Sequence, residues 1–435
     1  MLVLSDAARE PFLHEGLRVS TQHHHPDWRR VLAGFEAVLV LYCSDAAYEI
    51  TGVVGSEVVV VLDVYVPWYV ETAARGTVDL RREYGHFLND VARWNEVLVR
   101  GDVFLCANPA QHDFYLGVLS ALGSVNPLTY EHLRVIEVPF GVDARPVAAD
   151  DLPNPYTSLG VPGDAFVLLW FGAMYPWFDI DPVLEAVQAL AAELGDLHFV
   201  VVGGRNPLVP DADYGRGYAR ARAALAPLDG SQVHFVDWVA YDTRREWYSH
   251  ADVAVTFNVQ GLENRYSWRT RLADFVAAEL PVITNGGDPL GEDVLAAGGA
   301  FRSADRAEDL VEVVRRLHER PAPLADARAA LADLHPRFSW RASTSELADL
   351  LDVIEPSHAR EEAFVRLHHL SRRSSRPRGV ERALLGAAHV LRRVREEGVS
   401  GTAAVLQDMA APRLIDLRRR WHEGRPDRRL PGGAS

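Results

Sequence analysis

The chain has 435 residues, 48% of them apolar and 24% charged, a composition that fits two or three globular domains of about 150 residues each. Its two cysteines exclude a disulfide framework or a cysteine-rich zinc site, and its 45 basic residues are all arginine, which excludes chemistry built on a P-loop or Schiff-base lysine. The net charge of −15 argues against a nucleic-acid partner and leaves any bound phosphate to Arg, backbone N–H groups or a helix N-terminus.

The opening stretch, Met1 to His14, holds no glycine before Gly16, so the first βα unit is expected to be shortened. No basic, apolar and small-residue leader is legible there, and no apolar run reaches the roughly 18 residues of a membrane span, so a cytoplasmic location is expected. The His23-His24-His25 run is not read as a metal site, because adjacent side chains diverge and no partner ligand spacing follows. No metal or cofactor is expected.

Val-rich runs then alternate with amphipathic segments, the pattern of a parallel sheet between helices. Strands are predicted at 36–43, 58–64, 103–107 and 134–138. The second ends in Leu62-Asp63-Val64-Tyr65-Val66-Pro67, with Glu71 beyond, so Asp63 or Glu71 can orient an acceptor hydroxyl at a carboxyl edge, or simply shape a turn. Asn108-Pro109 is read as a helix cap, and His86 and His112 as structural ahead of a role as polar groups facing the cleft. Residues 1–145 are assigned to the first domain, and 146–163, rich in Pro and Asp, to a linker.

The alternation restarts at 166–171, 198–202, 233–236, 253–257 and 281–284, giving a second domain over 164–340. Asp181-Pro182 is read as the cap and first turn of a helix whose apolar face carries Val183, Leu184, Val187 and Leu190, with Gly195 as its stop. Two doubly wound Rossmann-like α/β domains facing a cleft are expected, since ligands of such sheets sit at their carboxyl edge. A helix at 341–355 is expected to pack back toward the first domain. The tail, 356–435, has 17 arginines against nine acidic residues. It is read as a basic helical segment with a disordered end, suited to packing on the body or to peripheral contact with the inner membrane face.

Three segments of the second domain carry candidate chemistry. Phe171-Gly172 leaves a strand and runs through Asp179 to a helix start, where Gly172 lets a ligand approach the backbone. Gly203-Gly204-Arg205 follows another strand, with Arg205 placed to meet a diphosphate. The densest is Gly261-Leu262-Glu263-Asn264-Arg265-Tyr266-Ser267-Trp268-Arg269-Thr270-Arg271-Leu272-Ala273-Asp274. Here Ser267 or Thr270 is read as a helix cap, Arg269 and Arg271 as anion ligands, and Asp274 as an acceptor of hydroxyl protons. Cations for a phosphate beside a carboxylate for a ribose are what a nucleoside diphosphate requires.

This last run, with Leu280-Pro281-Val282-Ile283 and Asn285-Gly286-Gly287-Asp288, resembles the nucleotide-sugar segment of the retaining GT-B glycosyltransferases of family 4, and of a bacterial subgroup within it. Trp177-Phe178-Asp179, Trp238-Val239-Ala240-Tyr241 and Ala251-Asp252-Val253 are similar to that subgroup as well. The resemblance spans about 63–355. It implies transfer from an NDP-sugar to an unidentified acceptor with retention, and it puts Asp274 in place of the second of two glutamates eight positions apart. Tyr266 stands in the first glutamate's place, with Glu263 as a substitute. Many relatives hold the diphosphate with an Arg and a Lys; here the work falls to Arg205, Arg269 or Arg271. The implied set is Arg269, Arg271 and Asp63 for catalysis, and Gly172, Asp179, Gly204, Arg205, Glu263, Ser267, Thr270 and Asp274 for the donor. A GT-B epimerase and a non-catalytic sugar-nucleotide-binding protein are the alternatives, since fold alone does not choose among them.

Overall fold

The computed structural model describes residues 2–4, 12–14, 17–20, 28–32, 34–55, 57–65, 67–74, 80–127, 129–131, 133–142, 151–207 and 215–354. All of these belong to one compact unit, Met1–Leu367. The His23-His24-His25 run, residues 146–150 of the expected linker and the basic tail lie outside the described residues. Three strands, β1 (Leu2–Leu4), β2 (Phe12–His14) and β3 (Leu17–Ser20), form a small sheet of their own in the order β1-β3-β2.

The first domain's sheet begins at β4 (Ala37–Leu41) and continues through β5 (Val59–Asp63), β6 (Val103–Cys106) and β7 (Arg134–Glu137), all parallel and in chain order. Between them run α1 (Trp28–Leu32, ahead of β4), α2 (Asp45–Val53), α3 (Trp68–Ala74), α4 (Leu80–Leu98) and α5 (Pro109–Leu122). Right-handed crossovers that all advance in one direction set their helices on a single face. On that face Val60, Leu62, Phe104 and Cys106 pack against Ile50, Trp94, Val97, Tyr115 and Leu119. Alternation along the strands turns Val59, Val61, Val103, Leu105 and Ile136 to the opposite face.

The second domain's sheet contains β8 (Phe166–Phe171), β9 (Leu197–Val202), β10 (Val233–Val236), β11 (Val253–Thr256), β12 (Val282–Thr284) and β13 (Ala300–Arg302). Its order is β10-β9-β8-β11-β12-β13, every pairing parallel. This is the doubly wound order, whose direction reverses between β8 and β11 and opens a crevice at their carboxyl ends. Its helices are α6 (Asp181–Glu193), α7 (Arg216–Ala224), α8 (Arg244–Ser249), α9 (Leu262–Tyr266), α10 (Thr270–Ala277), α11 (Pro289–Ala297), α12 (Ala307–Glu319) and α13 (Ala322–Leu334). One core joins Leu168, Trp170, Phe199 and Val201 to α6 and α12 through Val183, Leu190, Leu310 and Val314. The other joins Leu169, Val200 and Val202 to Trp247, Tyr248, Phe275 and Val276. Each such buried side chain contributes about 1.5–3 kcal/mol.

Local details follow the residue chemistry, with some shifts. Asn108 caps α5 by accepting from Gln111 N at 2.9 Å. In α6 the cap position is Ile180, with no side-chain bond, and Asp181 opens the helix. That places a carboxylate at the positive end of the helix dipole, paired with Arg220 at 3.0 Å. Tyr156 from the linker is buried and donates to Trp247 O at 2.6 Å, so that end of the linker is part of the second domain. Finally α14 (Trp340–Leu351) places Leu347 among Val59, Val61, Leu105 and Ile136, closing the face of the first sheet that its own crossovers leave bare.

Candidate active site in the interdomain cleft

A cleft of about 250 Å³ opens between the domains at the carboxyl ends of β5, β8 and β11. Tyr65, Pro67 and Glu71 form its first-domain wall. The second domain supplies Tyr175, Trp177 and Phe178 from the loop after β8, Glu263 from α9, Ser267, Trp268 and Arg269 from the link between α9 and α10, and Thr270 and Arg271 from the start of α10.

Arg271 is the centre of the second-domain wall. Its Nη2 donates to Ala173 O at 2.8 Å. Its guanidinium lies 3.9 Å over Phe178 and 5.3 Å from the Trp170 ring, in reach of the negative faces of both rings. Its Nη1 is buried with no hydrogen-bond partner. Burial, reinforced by the charge of Arg269, pushes the group down to about 9. Gly172 makes this geometry possible. Its φ is +92°, and a Cβ there would stand 3.1 Å from Arg271 Nη2, so a side chain would be strained and would crowd the guanidinium.

Arg269 is placed differently from the sequence expectation. Rather than presenting a free fork to an anion, it donates from Nη1 and Nη2 to Glu263 at 3.0 and 2.7 Å, and from Nη2 to Asn264 Oδ1 at 3.1 Å. The pair is nearly closed off from solvent, with side-chain exposures of 5% and 11%. Glu263 therefore pairs with Arg269, and the carboxylate-free cation of this wall is Arg271. Asp288, fully buried at the cap of α11, accepts from Gly291 N at 2.8 Å, and burial pushes it up to about 6.

The other expected site residues fall in different places. Neither Ser267 nor Thr270 caps α10: the cap position is Arg269 without a side-chain bond, Thr270 is the first helical residue, and Ser267 Oγ donates back to Asn264 O at 3.0 Å. Asp63 does not line the cleft; its Oδ1 accepts from Tyr65 N at 3.2 Å, and Glu71 takes the lining position. Gly204 serves packing, because a Cβ there would stand 2.5 Å from the Tyr218 ring. Arg205 is exposed at the end of β9 and is not among the lining residues. Asp179 stands outside the lining too, its backbone N–H donating to Phe257 O at 3.0 Å, and burial beside Asp181 raises its carboxyl. Asp274 sits one turn into α10, joined to Arg244 at 3.2 Å and accepting from Tyr248 Oη at 3.4 Å. His86 and His112 lie away from the cleft lining.

Asn108, read in the sequence only as a cap, spans the domains together with two residues to which the sequence reading gave no role, Gln111 and Phe114. Gln111 Nε2 donates to Tyr266 O at 2.7 Å, Asn108 Nδ2 to Ser267 O at 3.4 Å, and Phe114 meets the Tyr266 ring at 5.1 Å. The chain leading into Arg269 is thus held by the first domain as well as its own. A glutamine in the first turn of α5 with no exposed surface carried the signal, because a buried polar group must find a partner. Among the described residues no three His, Cys, Asp or Glu gather to hold a metal ion, and no helix is long and apolar enough to cross a membrane.

Solved structures with this architecture give the fold. The Anabaena HepE protein in complex with UDP-glucose is similar with a TM-score of 0.53 at 15% identity, covering 77% of this chain and 85% of that one. Sucrose-phosphate synthase from Thermosynechococcus elongatus gives 0.51 at 16%, covering 81% and 88%. A trehalose-phosphate synthase from Burkholderia vietnamiensis gives 0.54 at 9%, covering 82% and 90%. The fold is that of the GT-B glycosyltransferases. Residues 165–320, the bulk of the second domain, match the family described as glycosyl transferases group 1. D-inositol 3-phosphate glycosyltransferase 2 of Catenulispora acidiphila is 26% identical over 231 residues, and the match spans 50% of this chain and 50% of that relative's length.

Proposed function

We propose that this protein is a glycosyltransferase that moves a sugar from an NDP-sugar to an acceptor hydroxyl, with retention and without a metal. The observation that carries this reading is Arg271: a half-buried residue of the cleft lining, its guanidinium anchored to Ala173 O and stacked on Phe178, with a buried Nη1 that has no partner. A buried donor without an acceptor is costly, by about 1–3 kcal/mol, and an incoming phosphate oxygen relieves that cost. The group 1 match over 165–320 and the UDP-glucose held by the HepE protein support the same assignment.

The chemistry needs little more from the protein than charge and placement. The bond between sugar C1 and the diphosphate oxygen breaks, so negative charge grows on the leaving phosphate. Arg271 and the N–H groups that open α10 are donors fixed in advance for that charge. The acceptor oxygen forms the new bond to C1 on the face the phosphate leaves, and its proton passes to a phosphate oxygen. A cleft of about 250 Å³ suits a sugar ring and its phosphate rather than a whole NDP-sugar. The nucleoside is accordingly assigned to the second-domain edge, with Asp274, oriented by Arg244 and Tyr248, as the ribose-hydroxyl acceptor.

The test is a thermal-shift and calorimetry screen of UDP, GDP and their sugars. A ligand at 100 times its Kd stabilises the fold by about 2.7 kcal/mol. If none of these nucleotides binds, the donor assignment falls. Unchanged transfer in excess EDTA is expected, and abolished transfer would remove the metal-free part of the proposal.

A further inference from the structure

Two side-chain amides at the start of α5 meet the donor segment from the opposite domain, and both are locked in one orientation. Gln111 Oε1 accepts from Ala107 N at 2.8 Å, just past β6, which turns Nε2 toward Tyr266 O at 2.7 Å. Asn108 Oδ1 accepts from Gln111 N at 2.9 Å, which turns Nδ2 toward Ser267 O at 3.4 Å. Reversing either amide would set its oxygen against a carbonyl oxygen. Gln111 has no exposed surface and Asn108 is 2% exposed, so each amide is committed to these partners.

The receiving segment does little to hold itself. Helix α9 is five residues long and opens at Gly261 without a side-chain cap, and α10 opens at Arg269 without one. Helices this short depend on contacts beyond their own turns. Within the second domain the link between them is closed by Ser267, whose N–H and Oγ both donate to Asn264 O, at 3.3 and 3.0 Å. The carbonyls of Tyr266 and Ser267 take their donors from the first domain, and the Tyr266 ring meets Phe114 there. Arg269, Thr270 and Arg271 follow within a turn and line the cleft.

We propose that Gln111, assisted by Asn108, is a positioning residue of the donor site: from the first domain it holds the backbone that carries Arg269 and Arg271 in its binding-competent form. This rests on the donor reading above. The segment is ordered before the nucleotide arrives, so the cost of ordering it does not fall on binding. Without the two amides that cost returns as lost affinity. Linkage makes the effect reciprocal: a nucleotide that orders the segment strengthens the first domain's hold on it.

Two substitutions in the full chain separate this tie from packing. Gln111→Met keeps the length of the side chain and removes both ends of the amide; Asn108→Asp keeps an acceptor for Gln111 N and removes the donor to Ser267 O. Hydrogen exchange of the unliganded protein, read by mass spectrometry, is expected to quicken across residues 262–271 by about 10-fold or more in Gln111→Met and about 3-fold in Asn108→Asp, while residues 183–202 stay within about 2-fold of the wild type. Calorimetry with UDP and GDP is expected to give a Kd raised by about 5- to 20-fold in Gln111→Met, with Asn108→Asp between it and the wild type. Should Gln111→Met fail to fold, Asn108→Asp decides the outcome by the same readouts. Unchanged exchange across 262–271, a rise spread evenly over the chain, or an unaltered Kd beside a loosened segment would overturn the inference. A wild type that binds neither nucleotide would overturn the donor reading and the positioning role with it, whereas exchange tests the tie itself without any ligand.

Discussion

Replacing Arg271 by alanine separates stability from function, because the structure assigns the two effects opposite weights. The substitution removes a charge-assisted hydrogen bond to Ala173 O and the contact with Phe178, worth about 1.5–3 kcal/mol and about 0.5–2 kcal/mol. It also removes a buried Nη1 donor with no partner, whose desolvation costs about 1–3 kcal/mol, together with the repulsion from Arg269. These terms largely offset, so the unliganded protein should keep its stability to within about 2 kcal/mol, a Tm change of a few degrees. The donor, by contrast, loses a charge-assisted hydrogen bond of about 1.5–3 kcal/mol, which is a Kd raised by about 10- to 150-fold. Calorimetry with UDP and GDP and a parallel melt read the two quantities independently. A protein that melts many degrees lower yet binds nucleotide as before would show that Arg271 is a core residue, and the reasoning would be wrong. Arg271→Lys should fall between, since an ammonium keeps the charge but not the fork.

Three further outcomes follow from described contacts. Glu263→Ala leaves Arg269 buried without its partner and should destabilise the fold by about 3–5 kcal/mol in urea titration; Glu263→Ala combined with Arg269→Met should recover most of that, and failure to recover would show the pair is not coupled. Asp274→Asn removes the ion pair with Arg244 and should raise the donor KM with little change in kcat, a split that steady-state kinetics reads directly. His198 and His234 stack with Nδ1 and Nε2 3.0 Å apart, and burial lowers both, His234 further through the charge of His198. The unfolded chain therefore binds more protons than the folded one as pH falls through the unfolded value near 6.5, and stability must drop below that point. Melting from pH 7 to 5 should show a decline that His234→Gln flattens; an identical slope in the variant would refute the assignment.

The strands and their order of appearance were legible because buried parallel strands are short apolar runs. Those at Phe166–Phe171 and Val233–Val236 coincide with their expected spans. Strand β13 was not legible: Ala-Phe-Arg is three residues long and only partly buried, so no periodicity marks it. The site was legible as a composition, a dense polar run before a buried strand, but not as a set of pairings. Glu263 and Arg269 are six residues apart, a spacing that does not share a helix face; they meet because the chain turns between α9 and α10. Arg271 reaches a carbonyl 98 positions away, a contact that no local pattern encodes. Asp63 and Glu71 looked equivalent in sequence, and only the hydrogen bond from Tyr65 N to Asp63 shows which carboxylate the turn consumes.

The return of α14 to the first sheet has a mechanical consequence. The chain crosses between domains near Val142 and again near Ser339, and the two crossings are bonded to each other: Val142 N donates to Phe338 O at 2.8 Å and Trp340 N to Val142 O at 3.3 Å. A side chain at Gly141 would stand 2.6 Å from Trp340, so the crossings lie in direct contact. Two covalent tethers fastened at one spot hold the halves together there, and the bonds from Gln111 to Tyr266 O and from Asn108 to Ser267 O hold them at a second place. A chain cut after Ser339 would keep one tether and strip the first sheet of the helix over Val59, Val61 and Ile136, so the second domain should survive such a cut better than the first.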